Sequence, residues 1–154
     1  MAPPWLEKVA SSKAAGWYFL NVANKIDKRL LPATNGRLST APGRLICVIE
    51  VIGAKSGQAR RIPLQFITDG DDIVLIASKA GAAKHPAWYH NLRKNPDATV
   101  WAKGRSGRYR ASVVEDPADY DRLWRKAADY YAGYDVYKER AGGRKIPLVR
   151  LTRA

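Results

Sequence analysis

The sequence predicts an α+β fold in which a small, partly open antiparallel barrel lies between an N-terminal helix and C-terminal helices. Short runs of β-branched and apolar residues alternate with tight turns rich in glycine and aspartate, which join neighbouring strands in antiparallel order. Apolar residues recur at helical spacing before the first strand and again after the fifth. The length of 154 residues suits a single domain over residues 1–154, with a helical segment and loop at 1–43.

The N-terminal helix is predicted over residues 5–31, although Gly16 weakens its middle. Its apolar positions form one stripe, and lysines and arginines occupy much of the remainder. Two interpretations stay open: the helix packs on its own domain, or it lies on a membrane surface. No apolar run approaches the roughly 20 residues that cross a bilayer. Residues 32–43 are polar, contain glycine and proline, and predict a loop.

The first half of the barrel is predicted to consist of three strands, at residues 45–52, 61–68 and 73–77. Turn residues at 53–58 and a short Asp-Gly-Asp turn connect them as hairpins. Pro63 lies inside the second strand, and because proline has no backbone N–H, it indicates a sheet edge or a bulge there.

The second half of the barrel follows a loop of small residues at 78–84. A proline in the favoured first position opens a short helix over residues 86–94, and Asn-Pro ends it. Strands at 98–103 and 108–115 then predict another hairpin around a Gly-Arg-Ser-Gly turn.

The C-terminal region is predicted to be mainly helical. Asp116 precedes Pro117 and is the expected cap of a helix whose apolar residues repeat at helical spacing. Gly133 interrupts this pattern, a second helical piece ends at Gly142-Gly143, and residues 147–152 predict a last strand.

The charge of the chain favours anionic partners. Lysine and arginine number 27 against 14 aspartates and glutamates, a net charge of +13, which suits nucleic acid, anionic lipid, or a small ligand with phosphates or carboxylates. The single Cys47 excludes an internal disulfide and fits a reducing, cytoplasmic setting. Two histidines and one cysteine are too few for a usual zinc site, so no metal is expected.

Two basic loops are candidates for binding an anion. In the turn at 53–61, glycines let backbone N–H groups approach a ligand and cationic side chains add charge, although many solvated turns are also basic. The loop at 78–84 leads into the start of a helix, where unpaired N–H groups attract anions, and Lys79 and Lys84 flank it. The alternative is that its alanines and glycine only permit a tight connection.

Three tyrosines, Tyr131, Tyr134 and Tyr137, are spaced three residues apart and are predicted to share one side of a helix. Such a wall suits a flat aromatic or quinone-like substrate, while the alternative is a helix face packed on the barrel. The sequence has no Gly-x-Ser-x-Gly, Walker or dinucleotide-binding motif. Any difficult chemistry would therefore belong to a cofactor.

Two segments resemble the signatures of the deazaflavin-dependent nitroreductase family. Residues 53–64, GAKSGQARRIPL, are similar to its motif G-R-K-[ST]-G-x-P-R-x-x-P-L. Residues 78–92, SKAGAAKHPAWYHNL, are similar to its second motif, S-K-G-G-x-x-x-x-P-x-W-Y-x-N-L. The resemblance covers about residues 45–103, and both motifs occur in the same order as in the family. The three tyrosines also resemble the tyrosines on the substrate side of the family's active site, but less distinctively.

The resemblance implies a split β-barrel related to FMN-binding barrels and an enzyme that uses the reduced 5-deazaflavin coenzyme F420. Members of the family transfer hydride to quinones, activated alkenes or nitroaromatic compounds, mostly in actinobacteria, and some act on menaquinone at the inner membrane surface. The implied partners are this anionic coenzyme and a small electrophile such as a quinone or enone. The implied location is cytoplasmic, with peripheral membrane contact through the N-terminal helix left open.

The resemblance also implies the roles of individual residues. Ser78 would hydrogen-bond the ring and steady charge during hydride transfer, and Tyr134 would orient the substrate or relay a proton beside Tyr131 and Tyr137. The phosphate and tail of the coenzyme would be held by Lys55, Ser56, Arg60 and Arg61. The full set of implied coenzyme-binding residues is Ala54, Lys55, Ser56, Arg60, Arg61, Ile62, Pro63, Leu64, Gln65, Ile76, Ala77, Ser78, Lys79, Ala87, Trp88, Tyr89, His90 and Asn91.

Four departures from the family pattern bear on this expectation, one of which is Ala59 in place of the proline of the first motif. Ala54 replaces the usual arginine, and Arg61 is the residue that would compensate. Ala80 replaces the first glycine of the second motif, which raises the question of whether this position needs a positive φ. Gln65 lies where some nitro-reducing relatives have tyrosine, which favours quinone or enone reduction over nitro reduction.

Three functions are compatible with these features to different degrees. The first is an F420H2-dependent reductase of quinones or activated alkenes, in which the protein supplies positioning and electrostatics. The second is an FMN-dependent oxidoreductase on the same kind of barrel. The third is a basic module that binds single-stranded nucleic acid through interleaved aromatic residues. The ordered pair of motifs favours the first and argues against a nucleic-acid partner.

Overall fold

A computed structural model describes Ser12 and residues 22–154. The described residues form six strands: β1 (Ile46–Ile52), β2 (Ala59–Asp69), β3 (Asp72–Ile76), β4 (Asp97–Trp101), β5 (Gly107–Val113) and β6 (Leu148–Arg153). They also form four α-helices: α1 (Asn24–Ala33), α2 (Ala87–Lys94), α3 (Pro117–Tyr130) and α4 (Gly133–Arg140). A single 3-10 turn at Lys79–Gly81 lies between β3 and α2.

The six strands form a closed antiparallel barrel in the order β1-β2-β3-β6-β5-β4. The barrel is closed by the antiparallel pairing of β1 with β4, in which Val48 lies opposite Trp101 and Glu50 lies opposite Thr99. The predicted α+β class is confirmed, but the expectation of a partly open barrel is wrong. Local turn signals identify the hairpins, whereas closure depends on pairing between strands that are about 50 residues apart in the chain.

Side chains divide between two cores because successive residues of a strand point to opposite faces. The first core fills the barrel, and α2 covers it with the buried side chains of Trp88, Tyr89 and Leu92. The second core lies between the outer face of β2, β3 and β6 and the two C-terminal helices. Its buried members include Val74 and Leu148 from the strands and, from α3 and α4, Leu123, Trp124, Ala127 and Tyr134.

Strand β2 changes partners along its length. Residues 59–65 pair with β1, and residues 66–69 pair with β3. The Phe66 N–H donates to the Leu45 carbonyl, so, by the alternation of an antiparallel ladder, Pro63 occupies a position that makes no hydrogen bond to β1. Pro63 therefore lies at a sheet edge among the described residues, as predicted.

Helix α1 ends later than predicted. Pro32 lies inside its last turn, where the missing N–H removes a single hydrogen bond. The chain then turns at Gly36, whose N–H donates to the Leu31 carbonyl. Gly36 has a φ of +84° and lies so close to the backbone of Ala102 that a Cβ would come within 2.3 Å of its carbonyl carbon. Residues 5–21 of the predicted helix lie outside the described residues, apart from Ser12.

The first C-terminal helix begins at a side-chain cap. The Asp116 carboxylate accepts a hydrogen bond of 3.0 Å from the Asp119 N–H, which confirms the predicted cap of α3. The break that follows lies at Tyr131 and Ala132, and Gly133 begins α4 rather than interrupting a helix. The ring of Tyr131 occupies the space that a side chain at Gly133 would need, so this position admits only glycine without rearrangement. No described helix is long and apolar enough to span a bilayer.

Candidate active site

Helix α2 is attached directly to the turn between β1 and β2. The Asn91 side-chain oxygen accepts a hydrogen bond of 2.9 Å from the Ala54 N–H. The Lys94 ammonium donates to the Ala54 carbonyl over 2.7 Å. The two segments that carried the resemblance are thus in contact. Sequence reasoning missed Lys94, and the available signal was its position three residues after Asn91, on the same face of the helix.

The β1–β2 turn is closed by its own backbone. The Gly53 N–H donates to Gln58 and the Gly57 N–H donates to Gly53, with oxygen distances of 2.8 and 2.9 Å. The Ser56 hydroxyl accepts a hydrogen bond from the Gln58 N–H. A Cβ on Gly53 would lie 2.5 Å from that hydroxyl, so the glycine makes room for Ser56.

The cations of this turn fall into two groups. Lys55 and Arg60 are exposed, and neither has an ion-pair partner among the residues that the structure describes. Arg61 instead donates to Glu50 over 2.8 Å, and its guanidinium lies 4.7 Å from the ring centre of Trp101. Lys55 and Arg60 are therefore the more available for an anionic ligand, since Arg61 is already partly neutralised.

Alternation along β2 separates the coenzyme residues predicted there. Ile62 and Leu64 pack against the core inside the barrel, whereas Pro63 and Gln65 lie on the outer face. The side chain of Gln65 is hydrogen-bonded to the Tyr134 hydroxyl. Its Nε2 is buried and has no hydrogen-bond partner among the described residues. A buried amide donor without a partner costs free energy, so this atom is suited to meet an acceptor on a ligand.

The loop after β3 has a strained backbone. Ser78 is 7% exposed, and its carbonyl accepts a hydrogen bond of 2.9 Å from the Gly81 N–H. Lys79 and Ala80 have φ values of 47° and 53°, in the left-handed region that non-glycine residues seldom adopt. Position 80 therefore does require a positive φ, and alanine occupies it at a cost in stability.

Arg144, in the segment between α4 and β6, makes hydrogen bonds on both sides of the turn in this loop. Its guanidinium donates to the carbonyls of Ala77, Ser78 and Ala82, at distances of 3.2, 2.7 and 2.9 Å. It also lies 2.8 Å from Nδ1 of His85. Sequence reasoning missed Arg144, because its distance of about 60 residues from the loop leaves no local signal.

His85 accepts this hydrogen bond as a neutral imidazole. Burial, followed by the positive charges of Arg144, His90 and Arg93, lowers the pKa of His85 below its usual value. Because arginine can only donate, Nδ1 must be the acceptor and Nε2 must carry the proton. The ring also lies 4.9 Å from that of Tyr89.

The three predicted tyrosines do cluster, although Tyr131 precedes α4 and only Tyr134 and Tyr137 lie on it. The ring centres of Tyr131 and Tyr134 are 5.2 Å apart, and the hydroxyls of Tyr131 and Tyr137 are 3.2 Å apart. Tyr134 is 4% exposed, and burial raises its pKa far above the usual value for a phenol. Its hydroxyl therefore stays protonated at any physiological pH.

The Ser78 loop and the tyrosine cluster are held against each other. A Cβ on Gly81 would lie 2.6 Å from the Cβ of Arg140 and 2.7 Å from the carbonyl oxygen of Tyr137. Gly81, with a φ of +80°, thus allows the loop to approach the backbone of α4 closely.

The remaining predicted residues differ in exposure. Ile76 and Ala77 are buried at the end of β3, and Trp88 and Tyr89 are buried in the barrel core. Ala87 and His90 are exposed on α2. One surface concavity of about 180 Å³ lies between α2 and β5 and includes Tyr89. Another, of about 370 Å³, lies beside α3 and α4 and includes Arg144. The described residues contain no group of three or more potential metal ligands.

Comparison with known proteins agrees with the geometry. The family model described as F420H(2)-dependent quinone reductase matches residues 21–153. An F420H(2)-dependent quinone reductase of Mycobacterium tuberculosis (strain ATCC 25618 / H37Rv) is 39% identical over 127 residues, which cover 78% of this chain and 83% of that protein. A protein of Mycobacterium bovis carrying the same name qualified as putative has the same identity and coverage.

Solved structures support the fold. A structure titled F420-H2 dependent reductase (FDR-A) has a TM-score of 0.61 and 30% identity, and the match covers 70% of this chain and 93% of that one. HutZ, the heme storage protein of Vibrio cholerae, has a TM-score of 0.54 over 73% of this chain and 83% of its own. At 16% identity HutZ shows the fold alone.

These comparisons confirm the split-barrel fold and the deazaflavin-dependent oxidoreductase resemblance, and they favour F420 chemistry over the FMN alternative. The cofactor is reduced coenzyme F420, and mycobacterial relatives fit the expected actinobacterial distribution. With the family model matching nearly the whole described chain, this protein belongs to the F420H2-dependent quinone reductase family.

Proposed function

We propose that this enzyme reduces quinones at a site bounded by the β1–β2 turn, the Ser78 loop and Tyr134. The observation that carries the proposal is the buried Nε2 of Gln65, which has no partner among the described residues and belongs to a side chain bonded to Tyr134. Because Nε2 makes no bond, the Tyr134 hydroxyl donates to the Gln65 side-chain oxygen, and the Gln65 amide N–H groups are left available for acceptor atoms of a ligand.

The residues present fit the coenzyme that the family requires. Its phosphodiester and glutamate tail are anionic, and Lys55 and Arg60 are exposed cations without an ion-pair partner in the described part of the chain. Gln65 offers a donor to the polar edge of a deazaflavin ring, and the Ser78 hydroxyl, which does not cap the turn that follows it, offers another. When bound, the reduced coenzyme supplies a hydride.

In this proposal, Tyr134 neutralises the negative charge that develops on the oxygen of the reduced quinone. Hydride addition to a quinone leaves negative charge on an oxygen, which is stabilised by a hydrogen bond and discharged by a proton. The Tyr134 hydroxyl stays protonated because burial raises its pKa, and it would rotate from the Gln65 oxygen to the oxygen of the bound quinone to donate its proton. Tyr131 and Tyr137 extend the aromatic surface on which a flat ring can lie.

Activated alkenes are the second substrate class within this proposal. A quinone is itself a conjugated enone, so a donor aimed at its carbonyl oxygen also serves an enone. Nitroaromatic reduction is less favoured because Gln65 replaces the tyrosine of nitro-reducing relatives. We place this enzyme in the cytoplasm and treat it as a single domain. Peripheral contact with a membrane through the predicted N-terminal helix would involve residues that the structure does not describe.

The test combines coenzyme binding with turnover. Purified protein is titrated with the oxidised coenzyme to obtain a Kd, and reduced coenzyme is then consumed in the presence of a water-soluble naphthoquinone, an enone or a nitroaromatic compound. We expect micromolar or tighter binding and oxidation of the coenzyme that depends on the quinone. Absence of coenzyme binding at micromolar protein, or binding without quinone reduction, would contradict the proposal.

A further inference from the structure

We propose that Arg144 is a positioning residue that holds the Ser78 loop in the geometry needed for catalysis. The inference rests on the proposed role of that loop in coenzyme binding. Arg144 itself lies between α4 and β6, outside both motifs that carried the family resemblance.

All three nitrogens of the guanidinium are engaged with one loop. Nε donates to Ala82, Nη2 donates to Ser78, and Nη1 reaches both Ala77 and His85. The partners lie on both sides of the turn at Lys79–Gly81, so one planar group fixes its entry and its exit. No carboxylate pairs with Arg144 among the described residues, so its hydrogen bonds are directed to the loop.

The loop needs this external support. Lys79 and Ala80 each adopt a left-handed conformation that is unfavourable for a non-glycine residue. Two consecutive strained residues persist only where surrounding contacts outweigh the strain. Arg144 supplies such contacts at the carbonyls of Ser78 and Ala82, on either side of the strained pair. Lysine cannot replace it, because a single ammonium lacks the planar set of donors that reaches four acceptors.

His85 makes the support dependent on pH. The charged and titratable groups near it are Arg144 from the segment before β6 and His90, Arg93 and Tyr89 from α2. Protonation of His85 turns Nδ1 into a donor and places a positive charge against Arg144. The contact between Arg144 and the loop therefore weakens as the pH falls through the lowered pKa of His85.

The experiment compares R144K, R144Q and H85N with the wild type and with R125Q. Arg125 is exposed on α3 and has no ion-pair partner among the described residues, so R125Q controls for the loss of one charge. The Kd of the coenzyme and the kcat/KM for a naphthoquinone are measured from pH 8 down to pH 4, with thermal unfolding of each variant.

We expect R144K and R144Q to lower kcat/KM at pH 8 by roughly tenfold to a hundredfold, as displaced catalytic groups do, and R125Q to match the wild type. The kcat/KM of the wild type should fall as the pH drops through the lowered pKa of His85, and H85N should lack this fall, because asparagine offers a hydrogen-bond acceptor that does not titrate. If Arg144 served only the stability of the fold, H85N would not alter the pH dependence of kcat/KM.

Two results would overturn the inference alone: wild-type kcat/KM in R144K, or the same acid fall-off in H85N as in the wild type. If R144Q does not fold, the inference is still tested by R144K and H85N. R144K keeps the positive charge and the aliphatic part of the side chain. Wild-type protein that fails to bind the coenzyme would instead overturn the proposed function, and this inference with it.

Discussion

The side-chain oxygen of Asn91 accepts a hydrogen bond of 2.9 Å from the backbone N–H of Ala54. This contact joins α2 to the turn that presents Lys55, so the position of a proposed coenzyme ligand depends on a helix that begins more than 30 residues later. The Lys94 ammonium strengthens the same attachment at the Ala54 carbonyl.

Replacing Asn91 tests this attachment. N91A should lower the free energy of unfolding by about 1 kcal/mol, because it leaves the half-buried Ala54 N–H without its acceptor. N91D keeps an acceptor of the same shape and should retain more of the stability. Urea unfolding measures both variants, and equal losses in the two would show that the hydrogen bond is not the cause.

The two unpaired cations of the β1–β2 turn should contribute to coenzyme affinity. We expect K55A and R60A each to raise the Kd about tenfold at low ionic strength, the size of one lost hydrogen bond to a charged group, and less at high salt. R125A and K126A remove the same charge from exposed positions on α3 and serve as matched controls. Fluorescence titration at two salt concentrations gives the Kd values. A Kd that changes equally in all four variants would indicate net charge rather than a local site.

The strained backbone of the Ser78 loop predicts opposite effects for two neighbouring substitutions. A80G should raise the free energy of unfolding by roughly 0.5–1 kcal/mol, because glycine adopts the φ of 53° without the penalty of a Cβ. G81A should be clearly destabilising, since its Cβ would contact the Tyr137 carbonyl oxygen at 2.7 Å. Thermal unfolding distinguishes the two, and a stabilising G81A would contradict the close approach of the loop to α4.

An ion-pair network should make the stability sensitive to acid. Hydrogen bonds from Arg122 hold the pKa of Asp69 well below its usual range, and Arg150 contributes the same effect. Because the folded pKa lies below the unfolded value of about 3.9, this stabilisation is complete above that value and is lost as the pH falls towards the folded pKa.

D69N should therefore lower the free energy of unfolding at pH 7 by on the order of 1 kcal/mol, and the difference from the wild type should shrink below pH 4. D71N, at an exposed aspartate of the same hairpin with no ion pair in the described part of the chain, is the control. Urea unfolding between pH 2 and pH 7 provides the measurement. A D69N difference that is constant with pH would rule out the electrostatic origin.

Tyr134 should affect turnover more than folding. Y134F removes the hydroxyl but keeps the ring packed against Trp124 and Tyr131, so we expect a cooperative fold and a kcat for quinone reduction that is roughly a hundredfold lower. Because burial raises the pKa of Tyr134, the wild type should show no loss of kcat from ionisation of this phenol up to pH 9.

Y130F is a suitable comparison for this variant. The Tyr130 hydroxyl accepts a hydrogen bond of 2.7 Å from the Leu45 N–H, so its removal should lower the unfolding temperature without a comparable loss of kcat. Equal kcat in Y134F and the wild type would remove Tyr134 from the proposed proton path.

The sequence was most informative where structure depends on neighbouring residues. Strands, hairpins and the Asp116 cap follow from local patterns, and the motif resemblance located both basic loops. Closure of the barrel through β1 and β4 could not be predicted, because it depends on pairing between distant strands. The role of Arg144 could not be predicted either, because the loop that it contacts lies about 60 residues earlier in the chain. The break at Tyr131 was misjudged because Gly133 was taken as a helix breaker, whereas it is needed beneath the tyrosine ring.

The position of Pro63 has a consequence for the behaviour of this protein in a crowded solution. Between residues 59 and 65, β2 has β1 on one side and no strand among the described residues on the other. An open row of backbone amides can template addition of a foreign strand, which is how many β-proteins aggregate. Proline removes a donor from the middle of that row, so this edge is a poor template for a foreign strand and a poor nucleus for fibrils.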